Sequence, residues 1–429
     1  MARKGLFTDI MSVMSSNVVA IASALAVNII LSRQLGPAGF GIYTVIMVVP
    51  MIVISLVQLG IRASAIYHIG KEKENTSRFV SAIMAVLLIS SFAGMLISGG
   101  TFFFMGREEH GTAIILTVMF IIPAHLAALF SGGIFLGQEQ IRRANIIRWL
   151  PVLLDLILVV VFVYFLKWKV QGALLALLIA YAAVSSWAII TVNREHPAGI
   201  RFDLPVIKRI VGKGIVFAMA FFIIQLNYRI DILILESLTT AQEVGYYSLG
   251  VSIGEVLWQL PLAIGIVLMS RTANAEDQDE MNITTAKLLR LSFLAALLAS
   301  IVLFLLAPVL VPLIWGKEFL PSVPLLQYIL PGILFFSVFR IIGSRLSGIG
   351  KPEIAIYVFA PALVLNVILN YWWIPLYGAM GAVMATNASY ILGSVAFLIV
   401  YSNVVGMPVR EIVKYRISDF RFFTRDYTD

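Results

Sequence analysis

The sequence predicts an all-α integral membrane protein of about twelve transmembrane helices, built as two parallel-repeat six-helix lobes. Three observations predict it: an apolar excess that only lipid can dissolve, a series of nearly uncharged runs of membrane-spanning length, and basic residues that alternate loop by loop. Of the 429 residues, 60% are hydrophobic and 13% charged, against roughly 45–50% and about 25% in soluble domains. Charge this sparse cannot cover a water-facing surface. A net charge of +8 would point a soluble chain toward nucleic acid. Here the placement of the charges outranks their sum, and no nucleic-acid partner is expected. The chain has no Cys, which excludes disulfides and thiolate metal sites; no metal or other bound cofactor is expected.

A helix needs about 20 predominantly apolar residues to cross the hydrocarbon core. Twelve runs qualify: 10–32, 40–62, 79–105, 112–137, 146–166, 170–192, 215–236, 244–270, 284–314, 322–346, 353–374 and 378–402. The first follows Arg3 and Lys4, as a secretory signal does. It is long, and no polar mature segment follows the small residues Ala22, Ala24 and Ala26, so it reads as a retained helix. Prolines 50, 123, 151, 261, 331 and 361 fall inside spans and are expected to kink them.

Loop charges set the orientation. The loops on one side, with both termini, hold 24 of the 31 Lys and Arg residues; the alternate loops hold five, Arg33, Arg107, Lys167, Lys169 and Lys317. Lys73, Arg421 and Arg425 belong to the richer side. The rule that basic loops stay inside therefore expects a multi-pass membrane protein with both termini cytoplasmic.

The longest connection on the basic side, 193–214, carries Pro197, Gly199 and Pro205 and divides an N-terminal lobe (1–192) from a C-terminal lobe (215–402), with a tail at 403–429. The halves echo each other. Gly41-Ile-Tyr43-Thr44 opens span two and Gly245-Tyr-Tyr247-Ser248 opens span eight, 204 residues later. Gly172-Ala173 and Ala176 with Tyr181 in span six match Gly381-Ala382 and Ala385 with Tyr390 in span twelve. Six spans per repeat give both copies the same orientation, a transporter design with its site between the lobes.

Polar groups inside spans should face protein or a wet path, because a charge at the bilayer centre costs roughly 2.5–3.5 kcal/mol on insertion scales. Helical spacing aligns Thr44, Ser55, Gln58 and Arg62 in span two, and Ser248, Glu255 and Gln259 at the repeat-related places in span eight. Span one offers Asn17 and Asn28, span eleven Asn366 and Asn370, and span ten Arg340. In span seven Gln225, Arg229 and Glu236 share a face, with Asp231 nearly opposite. Arg229 lies about 21 Å along the helix from Ile215, inside the apolar slab. Arg229 and Asp231 each have a second reading as half of a buried ion pair that fixes packing, and Arg62 a second reading as a rim residue. Asp155, Asp231 and Glu255 are candidate ion-coupling carboxylates, since burial raises a carboxyl toward the working pH. His125 beside Pro123 reads as a packing residue. The tail mixes Arg410, Lys414, Arg416, Arg421 and Arg425 with Ile412, Phe420, Phe422 and Phe423, either a segment lying on anionic headgroups or a partly disordered one. Pro205 to Lys213 reads as an interfacial lead-in to span seven.

The run Leu31-Ser-Arg33-Gln-Leu-Gly36-Pro37-Ala-Gly39-Phe-Gly41-Ile-Tyr43 resembles an external turn of Wzx-like polysaccharide flippases, members of the multidrug/oligosaccharidyl-lipid/polysaccharide exporter superfamily. Glu243-Val-Gly245-Tyr-Tyr247, Gly348-Ile-Gly350-Lys351-Pro352 and Gly378-Ala-Met-Gly381-Ala382 are similar to other parts of the same family, and the resemblance spans the chain. It implies a V-shaped pair of six-helix bundles with a central cationic cavity, flipping an oligosaccharide on a polyprenyl pyrophosphate from the cytoplasmic to the outer leaflet. Under that resemblance Arg62, Arg229 and Arg340 would hold the pyrophosphate, with paired donors matching its oxygens. Asn17, Asn28, Gln58, Gln225, Gln259, Asn366 and Asn370 would meet sugar hydroxyls. A proton or sodium gradient is the expected energy source. The expected partners are the lipid-linked oligosaccharide, membrane lipids and other polysaccharide-assembly proteins.

Two alternatives stand beside this reading. A multidrug or small-solute exporter of the same architecture would bury carboxylates for cations, whereas this chain buries arginines. A membrane sugar polymerase or ligase would need a long external loop with catalytic groups, and the external loops here are about ten residues or shorter. No phosphate-binding P-loop occurs, so ATP hydrolysis by the chain is not expected.

Overall fold

The computed structural model describes residues 2–71, 75–104, 111–197, 199, 201–273, 275, 277–417 and 419; the expected loop charges Lys73 and Arg107 and the tail residues Phe420 to Phe423 and Arg425 lie outside them. Among the described residues, eleven helical stretches are long and apolar enough to cross a membrane. The first of them is two spans in sequence. Ala2–Val57 would run about 84 Å as one helix, but Gly36 stands at φ 66, ψ 178, a conformation open in practice to glycine alone. Pro37 follows with its φ already preset for a new helix. Span one thus ends at Gly36 and span two begins at Pro37, giving the expected twelve in a multi-pass membrane protein.

The remaining spans are Thr76–Phe104, Thr112–Gly137, Ile141–Val159 continued as a π-helix Val160–Phe165, Lys169–Glu195, Leu204–Leu238, Ala241–Glu255 with Gln259–Ala273, Gln278–Ile314, Ser322–Gly348, Glu353–Tyr377 and Ala379–Val405. Each predicted run falls on one of them. Helical assignment continues through Pro50, Pro123, Pro151, Pro331 and Pro361. The interruptions lie elsewhere: at 58–60 in span two and at Val256–Trp258 in span eight. Pro261 sits in the first turn after that second break, where a missing N–H costs nothing.

Span ten shows how one proline is accommodated. Just after Pro331, the Gly332 N–H donates to Asn387 Oδ1 at 2.8 Å, and Asn387 Nδ2 donates to Tyr328 O at 2.6 Å. The amide of span twelve therefore fills the gap in the 332-to-328 step of span ten, a side chain inserted into a helical ladder.

The chain divides into two compact units, Met1–Arg229 and Ile230–Asp429, the boundary falling within span seven. In unit one the connection between spans six and seven is tied to helix ends. His196 lies between Ser77 Oγ and Gln138 Nε2. Arg78 Nε donates to Asp203 at 2.6 Å, and Ser81 Oγ donates to Gly199 O. The expected interfacial lead-in is helical from Leu204 onward; it buries Val206 and Ile210 and exposes Lys208 and Arg209. Gly60 and Gly214 touch backbone to backbone, leaving no room for a Cβ on either.

In unit two the core is aromatic. Phe336 of span ten stacks near Trp258, Tyr390, Phe339 and Phe359, with ring centroids 4.7–5.5 Å apart, and Phe397 joins through Phe339 at 5.0 Å. Arg345, 1% exposed, donates to Gln278 O at 3.0 Å, Gln278 Oε1 at 2.8 Å and Asn282 Oδ1 at 2.8 Å, locking span ten to the start of span nine. The described part of the tail is docked: Val409–Val413 is a short helix, and Arg290 and Asp419 form an ion pair with side chains 5% and 3% exposed.

Candidate functional site

Two of the sequence motifs meet through one carboxylate. Thr240 caps span eight, its side chain accepting from Glu243 N at 3.3 Å. In a capping box the third-position Glu turns back on its own helix. Here Glu243 Oε2 instead accepts from Ala379 N at 3.0 Å and caps span twelve just after Gly378, which sits at φ 56. This fixes the levels of spans eight and twelve, and so the height of the polar groups one turn further in.

The first of those groups is Asp231, 1% exposed. Its Oδ2 accepts from Tyr247 Oη and from Thr386 Oγ1, the latter at 3.0 Å, so spans seven, eight and twelve share one carboxylate. Asn366 and Asn370 are 0% exposed, and Asn370 Nδ2 donates to Asn366 O at 2.9 Å and Oδ1 at 3.0 Å. Ser389 Oγ donates to Ala362 O at 3.0 Å. One turn along the two antiparallel helices from that bond, Asn366 stands level with Thr386. Asn366 Nδ2 and Asn370 Oδ1 have no hydrogen-bond partner among the described residues.

The second group is Arg340. Its guanidinium lies over the Trp258 ring, 4.5 Å from the centroid, and Trp258 is itself fixed by Nε1 donating to Ile333 O at 2.9 Å. Trp258 belongs to the break in span eight, which Glu255 precedes half-buried and Gln259 follows exposed. The break turns an aromatic face toward span ten, and the ring's negative face holds the cation in place. Arg340 is half-buried, about 12 Å from the Gly348 end of its helix.

Unit one has its own buried carboxylate. Asp155 is 6% exposed and its Oδ1 has no hydrogen-bond partner among the described residues. Tyr43 and Tyr181 lie within electrostatic reach of it, and His125 stacks on Tyr181 with centroids 4.7 Å apart. Tyr43 and Tyr247 are the repeat-related tyrosines of the sequence, and each stands by a buried aspartate. The aspartate comes from span five in one half and span seven in the other.

Arg62 follows the break in span two, where Leu59 and Gly60 have φ 50 and 64. Its Cα packs on Gly133, leaving the side chain exposed and within electrostatic reach of Arg148. Asn17, Asn28, Gln58, Gln225 and Arg229 are half-buried. The candidates thus fall into separate groups: Asp231 with the two asparagines, Arg340 with the span-eight break, Asp155 with its tyrosines, and Arg62 with Arg148. Sequence reasoning passed over Trp258 and Thr386. An aromatic in an apolar helix and a lone Thr carry no signal until a partner helix is placed.

A family model described as polysaccharide biosynthesis protein matches residues 6–269, and one described as MatE matches residues 217–372. A Shigella flexneri protein named "Putative O-antigen transporter" is 24% identical over 388 residues, covering 87% of this chain and 92% of its own length. Among solved structures, the lipid II flippase MurJ in an inward closed conformation aligns with TM-score 0.70 and 15% identity, over 95% of this chain and 89% of that one. An inward-facing multidrug resistance MATE family transporter of the MOP superfamily aligns with TM-score 0.71 and 16% identity, over 90% and 94%. These relatives are transporters and flippases rather than enzymes. With more than half of its length under the first family model, the chain belongs to the polysaccharide biosynthesis protein family, and it shares its fold with these solved transporters.

Proposed function

We propose that this protein flips a polyprenyl-pyrophosphate-linked oligosaccharide from the cytoplasmic to the outer leaflet of a prokaryotic plasma membrane, by alternating access of its two units, with both termini cytoplasmic. The observation that carries the reading is the Arg340 guanidinium held on Trp258 beside a broken helix. The aromatic face holds the cation in place, and a guanidinium presents paired donors to phosphate oxygens. Arg62 and Arg148, two like charges close to each other, supply a second place where an anion relieves repulsion. Arg229 is the third arginine assigned to the pyrophosphate. Asn17, Asn28, Gln58, Gln225 and Gln259 are assigned to the sugars. The family match and the named O-antigen relative support the substrate class.

Ion coupling belongs to the same proposal. A carboxylate as enclosed as Asp231 or Asp155 is stable in the membrane with a proton or a cation on it. Asp231, Thr386 and the two asparagines provide oxygen donors in the C-terminal half, so a proton or sodium gradient has a place to act; Glu255 is the third carboxylate assigned.

The test is translocation of a defined fluorescent lipid-linked oligosaccharide by the purified full-length protein in vesicles. A charged hydrogen bond is worth about 1.5–3 kcal/mol, so Arg340→Ala should slow flipping roughly ten- to hundredfold at unchanged yield of folded protein, and Arg340→Lys should restore it only in part. Efflux of cationic dyes with no flipping would favour the exporter reading. Flipping by Arg340→Ala at the wild-type rate would remove Arg340 from the mechanism.

A further inference from the structure

The structure assigns Gly133 of span four as a positioning residue for the arginine pair Arg62 and Arg148. The assignment rests on the reading above that this pair meets the anionic group of the cargo. Both arginines are exposed, and neither guanidinium has a hydrogen bond or ion pair among the described residues. They lie within electrostatic reach of each other. With no partner at the tips, the two side chains are placed by their backbones alone.

Arg62 is the second residue of the inner piece of span two, the helix Ile61–Lys71. That helix lies tightly on span four at two glycines. A Cβ at Gly133 would stand 3.0 Å from Arg62 Cα and 3.1 Å from Arg62 O. One at Gly137, a turn further on, would stand 2.8 Å from Ile69 Cβ and 3.0 Å from Ala65 O. The entry to the helix is held as well: Leu59 and Gly60 are left-handed, and Gly60 abuts the Gly214 backbone. Arg62 thus sits beside two backbone contacts, one on span seven and one on span four. Gly132 faces Ile147, with 3.8 Å between a Cβ built on the glycine and Ile147 Cγ2, and Arg148 is the next residue. Two consecutive glycines of span four therefore set the separation of the two arginines. A methyl added at Gly133 meets backbone, which cannot rotate away, so the first turn of the helix must give by a few tenths of an ångström. At about a hundredfold per ångström of misplacement, that shift is worth about fivefold. A methyl at Gly137 presses roughly one and two turns past Arg62, beyond the contacts that hold the first turn. It disturbs packing and leaves Arg62 where it is.

The experiment measures flipping of the fluorescent lipid-linked oligosaccharide in vesicles against substrate concentration, for the full-length protein and its variants. Gly133→Ala should raise KM about fivefold and leave kcat within about twofold, the pattern of a lost binding contact. The same change beside Arg62→Gln should add nothing, because the side chain it displaces is gone. Gly137→Ala, at least as crowded, should lower the thermal midpoint and leave KM within about twofold. Ile147→Ala removes the contact at Gly132 without adding bulk, and it keeps the test decisive if Gly133→Ala fails to fold. It should raise KM about threefold, and not at all beside Arg148→Gln. Equal rises in KM from Gly133→Ala and Gly137→Ala would overturn the assignment and leave Arg62 in the site. So would an undiminished effect of Gly133→Ala beside Arg62→Gln, or of Ile147→Ala beside Arg148→Gln. A wild-type KM in Arg62→Gln would instead overturn the reading beneath the assignment, and the assignment with it.

Discussion

Replacing Asp419 by Asn is expected to release the tail from span nine without unfolding the protein. The carboxylate gives Arg290 two parallel bonds of 2.7 Å, between side chains 5% and 3% exposed. Asn keeps one acceptor and turns an NH₂ toward the guanidinium. Breaking a buried pair from one side costs about 3–5 kcal/mol, and the remaining carbonyl bonds to Glu411 and Ile412 place the effect at the lower end, about 3 kcal/mol. At 1.4 kcal/mol per factor of ten, amides that open with the tail should exchange roughly a hundredfold faster. The reporters are Ile412 N, bonded to Pro408 O at 3.2 Å, and Lys414 N, bonded to Arg410 O at 3.0 Å. Hydrogen exchange read by mass spectrometry on the full-length protein measures both, with span nine as internal reference. Tail exchange within threefold of wild type would refute the reasoning, and equal acceleration in span nine would show that the bond supports the helix instead. Acid should act in the same direction. The hydrogen bond from Arg290 holds the Asp419 carboxyl below its ordinary range. Its contribution is therefore full above the unfolded value near 3.9 and is lost as pH falls through the lower, folded value.

Further outcomes are expected. Glu243→Ala leaves Ala379 N without its acceptor and should cost about 1 kcal/mol, lowering the thermal midpoint in detergent by roughly 2–4 °C; an unchanged midpoint would count against the cross-helix cap. Gly60→Val should abolish folded protein, because it adds a Cβ both at φ 64 and against the Gly214 backbone; size-exclusion profiles and yield read this directly. Asp155→Asn should leave the fold intact and flatten the pH dependence of flipping in vesicles, and an unaltered pH profile would take Asp155 out of the coupling scheme. Asn387→Leu removes both bonds that fill the span-ten gap and should cost about 2–3 kcal/mol, since two backbone groups lose their partners; denaturation of the purified protein should register it.

The spans were legible because lipid imposes length and apolarity on every helix. Gly36-Pro37 was legible because a turn between spans needs a residue that reaches positive φ. The internal repeat was legible in Tyr43 and Tyr247, and the structure sets both tyrosines beside buried aspartates. Asp155 and Asp231 stood out as buried carboxylates, but their pairing with those tyrosines was not legible, because they come from spans that are not repeat equivalents. The helix interruptions at 58–60 and Val256–Trp258 carried no signal in the sequence. Inside a bundle, a neighbouring group such as Asn387 satisfies backbone groups beside a proline. Asn366 and Asn370 lay on one face as the spacing required, but the sequence did not show that they bond to each other. The tail read as basic and aromatic, which suits membrane contact or disorder alike; Arg290, 129 residues away from Asp419, decides its docking.

The amide of Asn387 inside span ten ties two positions of the gene together. Restoring an N–H at 331 by replacing the proline would not straighten the helix, since the opening lies at the next step and is already filled. Trimming Asn387 alone would leave the Gly332 N–H and the Tyr328 carbonyl without the amide that bridges them. A lineage that abandons one of the pair therefore gains nothing until it abandons the other, and the proline and its filler are expected to be inherited or lost as a single trait.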